Sequence, residues 1–272
     1  MPGKTASVSV VIPCYRCATT IIRAVDSIAQ QTLKPAEVIL VDDASGNETI
    51  NVLLEIQSLY DGWVTVISLD QNAGAASARN AGWARASQPF IAFLDADDTW
   101  HPRKIEIQYL YMISNLEITL SGHGHRVLNQ SDKSSDWEIG KLQASPVGKW
   151  PLLFKNKFIT PSIMVRTNAN HRFLAGRRYM EDHLLLRDVV CDGGRIDRLD
   201  VDLAATYKRS YGASGLSGDL WGMQLSDFNN YYLLHSRGRL SFLSTFSLMA
   251  FSLLKFSRRL FMATIWRILH KL

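Results

Sequence analysis

Two acidic clusters stand out in this 272-residue chain, Asp42-Asp43-Ala44-Ser45 and Asp95-Ala96-Asp97-Asp98. Brought to one place, five carboxylates repel one another unless something positive sits among them. A divalent cation with oxygen ligands, shared with a phosphate group, resolves that repulsion. The plainer alternative is that Asp and Ser cap the helices that follow. One cap needs one residue, however, and these are clusters. Cys14-Tyr-Arg-Cys17 has the spacing of a redox pair, without a second pair to build a zinc site. His123 and His125 alternate along the chain and lack a third ligand.

The surrounding pattern explains how the acidic residues could meet. Val8–Ile12, Glu37–Val41, Val64–Leu69 and Phe90–Leu94 read as buried strands. Between them, helices are expected from Ile21 to Ala29, Ile50 to Leu59 and Ala75 to Ala86, the last with a weak apolar pattern; another opens at Pro102 and runs through Leu116. Repeated β-α units imply an α/β fold, a mainly parallel sheet flanked by helices. Ligands of such sheets bind beyond the carboxyl ends of the strands, where both acidic clusters fall. Pro13-Cys14-Tyr15 and Asn72-Ala73-Gly74 fall on the same rim.

The second half is less regular. Residues 121–150 read as a loop or short antiparallel strands, Phe158–Val165 and Val201–Tyr207 as strands, Asp182–Val190 as a helix and Ser210–Gly218 as a loop.

Five segments in order, Val8–Tyr15, Ser27–Gln31, Glu37–Ser45, Asn72–Gly82 and Phe93–Asp98, resemble glycosyltransferase family 2. The likeness is strong over about residues 7–105 and weaker to about 215. It implies a GT-A fold, Rossmann-like, and an inverting enzyme that uses a nucleotide-diphosphate sugar, UDP-linked by preference. By this resemblance Pro13, Tyr15, Asp42 and Asp43 adjoin the nucleobase, and Arg79 faces the nucleotide. Asp95 and Asp97 become the D-x-D, expected on an extended segment and therefore pointing the same way to meet ribose and a Mn²⁺ or Mg²⁺ ion. Asp182 of the Glu181-Asp182 pair would be the base, with Glu181, Thr160 and His183 on the acceptor side. Tyr207-Lys208-Arg209 resembles the basic motif that closes over the diphosphate. An ordinary helix N-cap is the plain alternative for Asp182. Arg16 stands where the family usually has Asn, Asn47 where Asp is frequent, and His183 where an aromatic residue often follows the acidic pair.

A sugar nucleotidyltransferase should carry a Gly-rich, Arg-containing loop after the first strand, which Pro13-Cys-Tyr-Arg does not supply, and two further rival functions remain. Asp95-Ala-Asp-Asp-Thr99 also fits the D-x-D-x-T of haloacid-dehalogenase-like phosphatases, in which the first Asp is a nucleophile, though three β-α units precede it here. A non-catalytic sugar-nucleotide-binding relative is the other.

Composition sets the domain plan. The net charge of +5 comes from 30 Lys and Arg against 25 Asp and Glu, yet no acidic residue follows Asp227. Seven of the basic residues lie in that tail, so the body is slightly acidic and a nucleic-acid partner is not expected. Residues 1–227 read as the catalytic domain, with a nucleotide-sugar half (1–117) and an acceptor half (118–227). Residues 228–272 form a basic, hydrophobic helical tail. From Leu253 its basic residues, Lys255, Arg258, Arg259, Arg267, His270 and Lys271, fall opposite an apolar side, as in helices that lie on membranes. The alternative is packing on the domain or on a second copy. With no signal peptide, the expectation is a peripheral protein on the cytoplasmic face of the inner membrane, acting on a glycan or lipid-linked glycan acceptor.

Overall fold

A computed structural model describes residues 5–129, 132, 135, 137–207 and 219–269, with side chains through residue 262. The first half alternates as expected: β1 (Ala6–Cys14), α1 (Ile21–Ala29), β2 (Pro35–Asp42), α2 (Asn47–Leu59), β3 (Val64–Ser68), α3 (Ala75–Arg85) and β4 (Phe90–Phe93). These four strands lie in the order β3-β2-β1-β4 and are parallel throughout. Val8, Val10 and Ile12 of β1 pack with Ile21, Val25 and Ile28 of α1, while Val11 joins the core on the opposite face. Burial on both faces is why the strand reads as an unbroken apolar run.

The weak apolar pattern of α3 has a packing cause. This helix lies so close to the sheet that a Cβ on Gly82 would collide with Val11. Ala76 and Ala78 are fully buried in the same layer. Small residues bring the helix down, and they carry little hydrophobic signal of their own.

The second half comprises β5 (Thr99–Trp100), α4 (Lys104–Ser114), β6 (Ile118–Val127), β7 (Ala144–Pro146), α5 (Lys149–Phe154), a 3-10 turn (Thr160–Ser162), β8 (Met164–Arg166), α6 (Glu181–Cys191) and β9 (Arg195–Thr206). Its strands extend the same sheet as β4-β8-β6-β9-β5, with β7 against β9. β8 meets β4 and β6 antiparallel, while β6 and β9 are parallel. Two expectations change here. Residues 118–127 form one long central strand: Gly122 breaks no structure but leaves room for the Phe158 ring against its backbone. Phe158–Val165 is largely the 3-10 turn leading into the short β8.

α7 (Leu220–Ser236) and α8 (Phe242–Leu269) complete the described chain. No helix among the described residues is long and apolar enough to cross a membrane.

Candidate active site

The expected rim residues do converge at the carboxyl ends of β1, β2 and β4. Asp42 and Asp43, at the end of β2, are buried and both organise backbone. Asp43 Oδ1 accepts the Ala73 N–H at 2.7 Å and its Oδ2 accepts the Gly74 N–H at 2.9 Å. Asp42 Oδ1 accepts the Ser45 N–H at 3.2 Å. Neither is a helix cap, because Gly46 and Gly74 occupy the N-cap positions of α2 and α3. Pro13 is half-buried, and Tyr15, 47% exposed, is the aromatic face that the rim presents to solvent. Arg16 has φ 49° and donates its N–H to Ser45 Oγ at 3.1 Å. An Asn tolerates that left-handed backbone more readily than Arg.

After β4 the chain turns instead of staying extended. The Asp98 N–H bonds back to the Asp95 carbonyl at 3.1 Å. Alternation along a strand therefore does not set the directions of Asp95 and Asp97. The hydrogen bonds of a tight turn override it. Arg23 on α1 donates from Nη2 to the Asp97 carbonyl at 2.9 Å and lies 3.6 Å from the centroid of the Tyr207 ring. The Tyr207 hydroxyl is 3.1 Å from Thr99 Oγ1. Arg23 escaped the sequence reading because one cation on the polar stripe of an amphipathic helix looks like a solvated residue. Arg209 lies outside the described residues.

The centre of the site is Arg79, which α3 holds at 4% exposure. Its Nη2 donates to Asp95 Oδ1 at 2.7 Å and its Nη1 to Glu181 Oε1 at 2.9 Å. Burial alone would lower the guanidinium pKa, but the two carboxylates outweigh it and the net shift is upward. Arg79 thus joins the first aspartate of the D-x-D to the acidic pair of the second half.

That pair opens α6. The N-cap is Met180, in the left-handed region at φ 58°, so Asp182 sits in the first turn and is not the cap. Asp182 Oδ1 accepts the His183 N–H at 2.8 Å. Burial lifts the Asp182 carboxyl above the usual carboxylate range and Asp95 adds to the rise, against the pull of Arg79 and the helix N–H groups. Burial and the charge of Asp182 lift Glu181 as well. A carboxylate raised in this way is a better proton acceptor near neutral pH. His183 is pushed down to about 3 by burial and by Arg187, and its buried Nδ1 has no hydrogen-bond partner among the described residues. Thr160 is buried in the 3-10 turn, where the Pro161 carbonyl accepts the Trp100 Nε1–H at 2.8 Å.

Among the described residues, no group of three His, Cys, Asp or Glu side chains is placed to hold a metal ion. The donor set at the D-x-D nonetheless suits a hard divalent cation. Mg²⁺ in particular takes one or two carboxylates and completes its shell with water and substrate phosphates. Cys14 and Cys17 are buried free thiols.

Parallel strands ending in this acidic rim, continued in one sheet by the mixed strands of the second half, form a GT-A fold. The chain belongs to Glycosyl transferase family 2, whose sequence profile matches residues 9–180. It is 29% identical over 207 residues to the succinoglycan biosynthesis protein ExoO of Rhizobium meliloti, covering 71% of this chain and 58% of that protein. It is 32% identical over 149 residues to the Escherichia coli UDP-Glc:alpha-D-GlcNAc-diphosphoundecaprenol beta-1,3-glucosyltransferase WfgD, covering 55% of each. The chain thus spans little more than half the length of these relatives. Among solved structures, S. aureus TarS 1-349 in complex with UDP-GlcNAc superposes with a TM-score of 0.68 at 19% identity, covering 93% of this chain and 72% of that one.

Proposed function

We propose that this protein transfers a sugar from a UDP-sugar to an acceptor hydroxyl with inversion, in the assembly of a cell-surface polysaccharide on a lipid-linked acceptor. The observation that carries the reading is the Arg79 bridge, which ties Asp95 of the D-x-D to Glu181 of the Glu181-Asp182 pair through one guanidinium. The nucleotide lies over the ends of β1 and β2, with the base against Tyr15. Each Asp43 oxygen keeps a second lone pair beyond the one already used, so the carboxylate can also accept a base N–H. Asp182 takes the proton of the acceptor hydroxyl as that oxygen attacks the anomeric carbon. One base and a departing nucleoside diphosphate are enough for a single displacement, which inverts the centre and needs no protein nucleophile.

Asp97 and Asp95 would hold a Mg²⁺ or Mn²⁺ ion shared with the diphosphate. When bound, the ion neutralises charge on the leaving group. Arg79 orients Asp95 from behind, and Arg23 holds the Asp97 backbone in the turn.

The tail reading gains from the way α8 sits. Its inward side includes Thr245, Leu248, Ser252 and Phe256, all buried, whereas Phe242, Leu243, Phe246, Leu253, Leu254 and Phe261 face outward. Six large apolar side chains on the outward side are more than a helix meant for water presents. Arg258 is exposed beside this face. A membrane surface with anionic lipid suits both features, and the reading is a peripheral enzyme on the cytoplasmic face, beside its lipid-linked acceptor.

The test is nucleotide release over a panel of UDP-, GDP- and dTDP-sugars, with and without EDTA. Turnover of a UDP-sugar that EDTA abolishes supports the reading. A protein that binds no sugar nucleotide overturns it.

A further inference from the structure

The two residues just before the acidic pair are both fastened to α7. Tyr179 donates its hydroxyl to Asp219 Oδ2 at 2.8 Å, and Asp219 is the N-cap of α7, accepting the Gly222 N–H at 2.9 Å. Met180 has its carbonyl bonded by Asn230 Nδ2 at 3.0 Å, and Asn230 is fully buried in α7. Met180 is also one of three non-glycine residues with positive φ among the described residues. A left-handed backbone at such a residue persists only where its surroundings hold it. The middle of α6 is anchored to α7 too: Arg187 Nη1 donates to Asp227 Oδ1 at 2.8 Å and its Nη2 to the Tyr231 hydroxyl at 3.1 Å, all three being buried. Asp227 Oδ2 in turn accepts the Ser252 hydroxyl of α8 at 2.6 Å.

We propose that α7 is part of the catalytic scaffold, with Asn230 and Tyr179 as positioning residues that fix the turn from which Asp182 reaches the acceptor. The inference rests on the assignment of Asp182 as the base. α7 lies beyond residue 180, where the family profile ends, and supplies no group to the nucleotide rim among the described residues. Its hydrogen bonds reach the turn before Asp182, and Asp95 meets that turn only at one remove, through the Arg79 bridge to Glu181. Tyr15, Asp43 and Asp97 belong to other elements, so loosening the turn leaves most of the donor contacts in place. The signature is a fall in kcat with donor affinity unchanged. A merely structural role would instead lower donor binding and transfer together, in proportion to the folded fraction.

The experiment compares Asn230→Leu, which keeps the volume and removes the amide donor, with Tyr179→Phe and Asp182→Asn. UDP-sugar binding is measured by calorimetry and sugar transfer in a single turnover. Asn230→Leu is expected to bind donor within about twofold of wild type and to transfer at least tenfold more slowly, and Tyr179→Phe to lose severalfold in rate. Wild-type transfer by folded Asn230→Leu, beside an inactive Asp182→Asn, overturns this inference and leaves the base in place. If Asn230→Leu does not fold, Tyr179→Phe decides, and its wild-type rate overturns the inference. Unimpaired transfer by Asp182→Asn removes the base and this inference with it.

Discussion

Asp95 just beyond β4 and Glu181 at the start of α6 are held by the two terminal nitrogens of the Arg79 guanidinium, Nη2 and Nη1, at 2.7 and 2.9 Å. One side chain of α3 therefore ties the end of β4 to the start of α6. A planar fork with several donors can do this, whereas an ammonium cannot hold the same two-sided geometry.

Arg79→Met should leave Glu181 buried beside Asp182 with no cation to offset either charge. Breaking a buried pair from one side costs about 3–5 kcal/mol, and the partial exposure of Asp95 puts this case at the lower end. Urea denaturation should show that loss. Arg79→Lys should recover part of the stability and little of the transfer rate. Equal stability of wild type and Arg79→Met would mean that the bridge holds nothing.

The raised carboxyls give a pH dependence with a definite sign. Burial favours the protonated form of Asp182, so its folded pKa exceeds the unfolded value of about 3.9. The corresponding stability is fully present below about pH 3.9 and is lost as pH rises through the folded pKa. Asp182→Asn cannot ionise, so its stability relative to wild type should grow with pH across that window. The transfer rate should run the other way, rising as Asp182 becomes ionised. A stability difference that does not change with pH would contradict the burial argument.

Much of the nucleotide half was legible because strands buried on both faces leave unbroken apolar runs and the β-α units repeat. Less of the second half was. Residues 121–150 read as a loop or short antiparallel strands, and the packing of Gly122 in β6 against Phe158 depends on a residue distant in sequence. The D-x-D was read as extended, whereas a local Asp98–Asp95 hydrogen bond curls it into a turn. Arg79 was singled out by the segment it stands in, but its two carboxylate partners come from separate elements and leave no trace in spacing. Helical periodicity did not tell which side of α8 packs inward, where Ser252 bonds Asp227 and Lys255 bonds the Phe154 carbonyl, partners distant in sequence.

Asp97→Ala should lower sugar transfer by orders of magnitude, because several kcal/mol of charge stabilisation on the leaving group go with the metal and each ~1.4 kcal/mol is tenfold. EDTA should do the same to wild type, and added Mn²⁺ should restore only the wild type. Full activity of wild type in EDTA would contradict the role given to the D-x-D.

The outward face of α8 can be tested without removing the helix, which would strip Ser252 from Asp227. Phe242→Ser, Phe246→Ser and Leu254→Ser together change exposed positions only, so folding and soluble donor binding should be kept. Co-sedimentation with vesicles containing anionic lipid should fall sharply, since each apolar side chain withdrawn from water is worth about 1.5–3 kcal/mol. Wild type that remains in the supernatant beside such vesicles would favour a protein partner for this face.

The assignment of Asp182 as the base is tested most directly by single-turnover transfer in Asp182→Asn, with donor binding measured on the same preparation. The amide keeps the shape and can still accept the His183 N–H. It cannot take a proton from the acceptor. Transfer should fall by about 10²–10⁴ while UDP-sugar binding stays near the wild-type value. Near-wild-type transfer by the folded, donor-binding variant would contradict the account and leave Glu181 as the next candidate.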